Sequence, residues 1–173
     1  MNKLFEIVSE DWRTHGADPA EVGFWVLAIH RVGSWARTIQ RPVLRRPLQA
    51  FTDALSVSAG RIAGIELAPE MKVGRRVRLW HHGCVRLAAR EVGDDVQIRH
   101  ATTFGPQPGT PDDPRYWPVI GARVEVGAGA CILGNVQVGA DAVVGANSLV
   151  VDDVAPETTM AGVPARRLLW GRR

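Results

Sequence analysis

The chain has 173 residues, a hydrophobic share of 46% and a formal net charge of +3. That length gives one domain, or one domain with a modest extension, and no apolar run approaches the ~18 residues of a membrane span. Cys84 and Cys131 are too few for a disulfide framework and the acidic first ten residues lack a signal-peptide core, so the expected setting is a reducing cytoplasm, without membrane attachment or export.

Basic residues gather over 37–46 and again over 166–173, but no aromatic-interleaved basic face accompanies them. Nucleic acid is therefore not an expected partner. A solvated surface, or a contact to a phosphorylated small molecule, accounts for these runs.

Asp18, Pro19 and Glu21 form a helix-start signature, with Asp18 at the N-cap and proline in the first helical position. Phe24, Leu27, Ala28, Trp35 and Ile39 follow at helical spacing along one face, and Pro42 ends the helix. A second helix is expected after Pro47, carrying Leu48, Phe51 and Leu55 inward and stopping near Gly60 or Gly64. Residues 1–62 are thus a helical segment, and another architecture takes over at 63.

From there the period becomes six. Val73, Leu79 and Val85 form one set, and Val92, Ile98 and Phe104 a second, with one irregular corner between Val85 and Val92. The repeat then stops for an excursion over 105–118, rich in proline and without an aliphatic column. It resumes through Ile120, Val126, Ile132, Val138, Val144 and Val150, and a further hexad runs from Val154 to Met160 before a basic tail over 167–173.

Six residues make a short strand plus a corner, and three such units close a coil of about 18 residues whose strands pair in parallel with the next coil. Glycines such as Gly121 and Gly127, following the aliphatic residue, are expected to supply the unusual backbone angles of the corners. An evenly spaced β-sandwich would need longer strands and more varied loops. The fold class is mainly β: a parallel β-helix of hexapeptide repeats behind a short N-terminal α-helical segment. An excursion that leaves such a solenoid and lets it resume marks the functional face.

The segments G-A-G-A-C-I-L-G-N-V at 127–136, G-A-N-S-L-V-V at 145–151 and A-G-V-P-A-R at 161–166 resemble the closing coils of serine O-acetyltransferases and related polysaccharide O-acetyltransferases. The resemblance covers roughly Asp18 to Arg166 and is strongest after Val119. It implies a left-handed β-helix, a homotrimer that can pair into a dimer of trimers, and acetyl-CoA lying between neighbouring subunits. The left hand rests on the resemblance alone, since parallel crossovers elsewhere are almost always right-handed.

Acyl transfer to a hydroxyl needs a base beside the acceptor, and histidine suits that role because its ordinary pKa of about 6.5 leaves it largely neutral at pH 7. His81, two past Leu79, matches the family's catalytic histidine. Glu66, fifteen residues earlier, matches its carboxylate partner, commonly aspartate there. Such a carboxylate fixes the imidazole tautomer and stabilises the imidazolium that forms. The alternative is that His81 caps a corner and Glu66 is solvated. His82 faces the other way by alternation. His100, in the hexad position of His81 and nineteen residues on, is expected one coil above it, lining the acceptor site or stacked structurally.

The departures from the family concern the acceptor. Trp80 stands where the family has aspartate, and Tyr116-Trp117 where it has Arg-His, groups that help hold free serine there. Aromatic surface in place of charge favours a sugar or other specialised hydroxyl over a zwitterion, with Arg115 or His100 as the groups that could compensate. Asp18 matches another serine-binding aspartate, but its helix-capping role explains it without function and is the preferred reading. For acetyl-CoA, Gly105, Ala128 and Ala146 fall where the family passes the pantetheine arm, and Arg166 or Arg167 could meet the nucleotide phosphates.

The expected activity is acetyl-CoA (or acyl-CoA)-dependent O-acyltransfer by direct attack, with backbone donors near Gly105 stabilising the oxyanion. Neither cysteine has an activating context for an acyl-enzyme. The acceptor is expected to be a small-molecule hydroxyl, a sugar or specialised metabolite before free serine. Genuine serine acetylation, a non-catalytic scaffold and a γ-type carbonic-anhydrase-like zinc protein are the rivals. The last lacks the expected His-x4-His pair, so no metal is expected.

Overall fold

The computed structural model describes residues 2–80 and 83–168; His81, His82 and the end of the tail, 169–173, lie outside the described residues. Three helices come first: α1 (Asn2–Thr14), α2 (Val22–Arg37) and α3 (Pro42–Ala63). Asp18 does not cap α2. Its Oδ1 accepts from the Ala20 amide at 2.8 Å, closing a local turn, and α2 begins after Glu21. A short acidic side chain that finds a nearer amide is no longer available to the helix end.

The last helix also departs from expectation. It starts at Pro42, where a missing N–H costs nothing, and it tolerates Pro47 inside its second turn. Phe51 and Leu55 face outward, at 61% and 38% exposure, while Thr52, Gly60 and Ala63 are buried. The physical reason is the close approach of α2, where a Cβ on Gly33 would lie 3.4 Å from Thr52 Oγ1. Small residues allow that approach and large ones are turned away. Gly64 ends α3 at φ 64°, a left-handed conformation that glycine adopts most readily.

The rest is the expected hexapeptide-repeat β-helix. Its first sheet orders β1 (Ile65–Leu67), β4 (Val85–Leu87), β7 (Thr103–Gly105), β10 (Cys131–Leu133) and β13 (Leu149–Val150). The second orders β2 (Lys72–Val73), β5 (Glu91–Val92), β8 (Val119–Ile120) and β11 (Gln137–Val138). The third orders β3 (Arg78–Leu79), β6 (Gln97–Ile98), β9 (Glu125–Val126), β12 (Val143–Val144) and β14 (Thr159–Gly162), and ends in β15 (Ala165–Arg167), which pairs antiparallel with β14. All other pairings are parallel, and the aliphatic residues stack in register inside the prism: Val73, Val92, Ile120 and Val138 on the second sheet, and Leu79, Ile98, Val126 and Val144 on the third.

One phase differs from the sequence reading. On the first sheet Leu87, not Val85, aligns with Phe104 and Ile132; Val85 aligns with Ile65 beside that column. The column therefore steps eight residues from Leu79 to Leu87 and five from Leu87 to Val92, so two successive corners depart from six, where the sequence suggested one between Val85 and Val92.

The glycines also act for a different reason from the one expected. Positive φ falls on Arg76, Asp95, Arg123 and Asp141, at 55° to 60°, whereas Gly121 and Gly127 have none. At Gly121 a Cβ would lie 2.7 Å from the Ala140 amide of the next coil. Glycine is needed there for coil-to-coil approach, not for its backbone angles. The left-handed corner residues form a charge ladder, with Arg76 on Asp95 and Arg123 on Asp141, each at 2.6 Å.

A buried ion pair fixes the helices to the coils. Asp11 of α1 is 0% exposed and accepts from Arg31 Nε of α2 at 3.0 Å, and the same guanidinium donates to the Val73 and Gly74 carbonyls of the first coil.

Candidate active site

The register of the third sheet places several expected site residues on one edge. The Trp80 amide donates to the Ile98 carbonyl, Arg99 to Val126 and Gly127 to Val144. The chain turns from the third sheet to the first at this edge, so His100, Ala128 and Ala146 occupy equivalent positions in successive coils. His81 follows Leu79, the partner of Ile98, by two residues in the chain and lies outside the described residues. The edge is narrow, since a Cβ on Gly127 would lie 2.5 Å from the Ala146 amide. Small residues there leave backbone groups open to a ligand, a fit for an extended pantetheine arm.

Helical residues reach this edge too. His15 lies against the Leu79 amide, 3.3 Å from its Nε2, and a Cβ on Gly23 would lie 2.7 Å from the Leu79 carbonyl. The turn carrying Asp18, exposed, joins these two contacts and so is held beside the strand that leads into Trp80.

Trp80 is not an open aromatic wall. Its indole N–H donates to Gln97 Oε1 at 2.9 Å, and the Arg78 guanidinium stacks 3.4 Å from the ring centroid. Arg99 reaches the same ring at 5.9 Å. Neither arginine was singled out by the sequence reading. The only sequence signal available was their place in the residues flanking Trp80 and His100.

The other candidates gather at the far edge of the first sheet, where the excursion leaves after Gly105. Trp117 is 5% exposed and donates its indole N–H to Asp112 Oδ1 at 2.9 Å. Asp112 in turn accepts from Arg86 at 2.7 Å, and Arg86 stands 3.9 Å from Glu66. A groove lined by Glu66, Arg86, Asp112, Pro114 and Trp117 results. Trp117 therefore anchors the excursion, and Tyr116 is the exposed aromatic of the pair, at 37%. Arg115 cannot compensate for lost charge, because it is held by Asp113 at 3.0 Å, and that partner keeps the Asp113 carboxyl below its ordinary value. Arg166 lies on β15, exposed, with Asp152 at 3.6 Å. Among the described residues no three His, Cys, Asp or Glu side chains are grouped to hold a metal ion, and no helix is long and apolar enough to cross a membrane.

Behind Glu66 a cavity of about 410 Å³ opens between α2, α3 and β1, with His30 among its lining residues. Burial lowers the His30 pKa to about 4, against a partial rise from the Ala68 carbonyl. Between that value and the ordinary 6.5 the unfolded chain binds a proton that the folded chain refuses, so stability present above pH 6.5 is lost as pH falls toward 4. The loss is about 3 kcal/mol. Thermal melts from pH 7 to 4.5 should show it, and His30→Gln should flatten the profile; equal slopes for both proteins would contradict this origin.

Comparison with known proteins agrees with this geometry. Residues 118–152 match the bacterial transferase hexapeptide (six repeats) family. A serine acetyltransferase of Helicobacter pylori is 36% identical over 159 residues, 90% of this chain and 92% of the relative. The chain belongs to the serine acetyltransferase family. Another member, from Mycobacterium tuberculosis, is 36% identical over 79% of this chain, and here the chain spans only 56% of the relative's length. The solved serine acetyltransferase of Brucella abortus in complex with coenzyme A superposes with a TM-score of 0.82 at 27% identity, over 96% of this chain and 68% of that one. Hexapeptide coils and preceding helices are both present here.

Proposed function

We propose that this chain is an acetyl-CoA-dependent serine O-acetyltransferase. The observation that carries the reading is the edge column of His100, Ala128 and Ala146, in a chain matched over nearly the full length of a serine acetyltransferase. The expectation of a sugar acceptor loses its physical support. Of the three aromatic residues behind it, Trp117 is buried and Trp80 is stacked under Arg78, leaving Tyr116 alone as open aromatic surface.

In this reading His81 takes the proton of the serine hydroxyl as its Oγ attacks the thioester carbonyl, and Glu66 orients the imidazole. The new ester C–O bond forms, the C–S bond breaks, and the departing thiolate receives the proton from His81. Backbone donors near Gly105 face the developing oxyanion. The acetyl-CoA arm follows Ala128 and Ala146, and Arg166 meets its phosphates. The excursion with Gly105, Tyr116 and Trp117 and the column with His100 leave opposite edges of one sheet, which supports a site shared between neighbouring copies of a homotrimer.

Mixing the protein with acetyl-CoA and serine should release free thiol and yield O-acetylserine by mass. Thiol release that does not respond to serine would overturn the proposal.

A further inference from the structure

We infer that Arg99, assisted by Arg78, is the anion subsite that holds the acceptor's carboxylate. The assignment rests on the serine reading above and names the residues that supply the charge lost at 116 and 117. Most other coil arginines near this end of the solenoid are neutralised, Arg75 by Glu6 and Glu10, Arg76 by Asp95, Arg86 by Asp112 and Arg123 by Asp141, while Arg90 donates to the neutral Asn135 amide well away from the Trp80 ring. Among the described residues, Arg78 and Arg99 have no carboxylate within ion-pair distance, and both guanidinium groups converge on one ring.

The local geometry makes this more than two solvated side chains. The Trp80 ring is held by its bond to Gln97, so it is a fixed platform. The Arg78 guanidinium carbon lies over it, 3.4 Å from the centroid, the distance of a stacked guanidinium. Arg99 is exposed and reaches within 5.9 Å of the same centroid from the next coil. A guanidinium stacked on an aromatic face keeps its hydrogen-bonding edge available and matches a carboxylate in a bidentate fork. The platform directly precedes His81 in the chain, and Arg99 directly precedes His100, so an anion held here belongs to a ligand of the acceptor edge. Coenzyme A phosphates are the competing source of negative charge, and the kinetic arms separate the two.

Steady-state rates are compared for serine and serinamide, which keeps the hydroxyl and amine but lacks the carboxylate. Arg99→Gln should lower kcat/KM for serine roughly 10- to 100-fold, the effect of losing one charge-assisted hydrogen bond, mainly through KM. It should leave the serinamide rate and the KM for acetyl-CoA unchanged, with Arg99→Lys restoring part of the loss. Arg78→Gln should shift the same ratio in the same direction. An unchanged serine-to-serinamide ratio in both variants, with serine still turned over by the wild type, would overturn the subsite and leave the proposed activity standing. A rise in the KM for acetyl-CoA alone would reassign the arginines to the donor. No turnover of serine by the wild type would remove the activity and this assignment together.

Discussion

His81→Ala should lower kcat/KM roughly 10²–10⁴-fold, the range expected for removing a general base. The serine hydroxyl is a weak nucleophile until its proton is accepted, and neither cysteine is placed to offer a covalent route. Cys84 is exposed and Cys131 half-buried, and the Cys131 thiol donates to the Gly129 carbonyl at 4.0 Å, a partner that does not favour the thiolate. His82→Ala should change the rate little. This pair also tests the phase of the irregular corner, because Leu79 is in register with Ile98 and the surplus residues follow it. A dead His82 variant beside an active His81 variant would show that the corner presents the other imidazole.

The second large effect is structural. Arg31→Ala should destabilise the fold by about 3–5 kcal/mol, because it strands the Asp11 carboxylate where no water reaches it. Burial already raises the Asp11 pKa against the opposing pull of Arg31, so without the guanidinium the carboxyl protonates or the helices separate from the coils. The Val73 and Gly74 carbonyls lose their donor as well. Denaturant melts should show the loss, and the double variant Asp11→Leu/Arg31→Met should recover much of it, since paired apolar replacements of buried ion pairs are often close to neutral. A loss below about 1 kcal/mol in the single variant would mean that α1 and α2 are held by other contacts.

The solenoid was legible because most of its strands are only two or three residues long and most contribute one residue to the interior column. Ile120 to Val150 therefore stand out at a period that no helix or sandwich produces. Val85 was misphased because it is also buried, beside Ile65, and burial alone cannot say which of two alternating residues joins the column. Phe51 and Leu55 read as core residues because helical periodicity identifies an apolar face without saying what covers it. In the fold, small residues of α3 meet α2 instead. The acceptor site was harder still. Trp80, Tyr116 and Trp117 suggested an aromatic wall, but one is buried and one is stacked, and both facts depend on neighbours from other coils. Arg78 and Arg99 became visible only once both were seen to converge on the Trp80 ring from successive coils.

The acceptor preference is the central claim, and kcat/KM measured with acetyl-CoA across serine and a panel of sugars and nucleotide sugars tests it most directly. Serine should be the best acceptor in the panel; a sugar or nucleotide sugar turned over with higher kcat/KM would contradict the account.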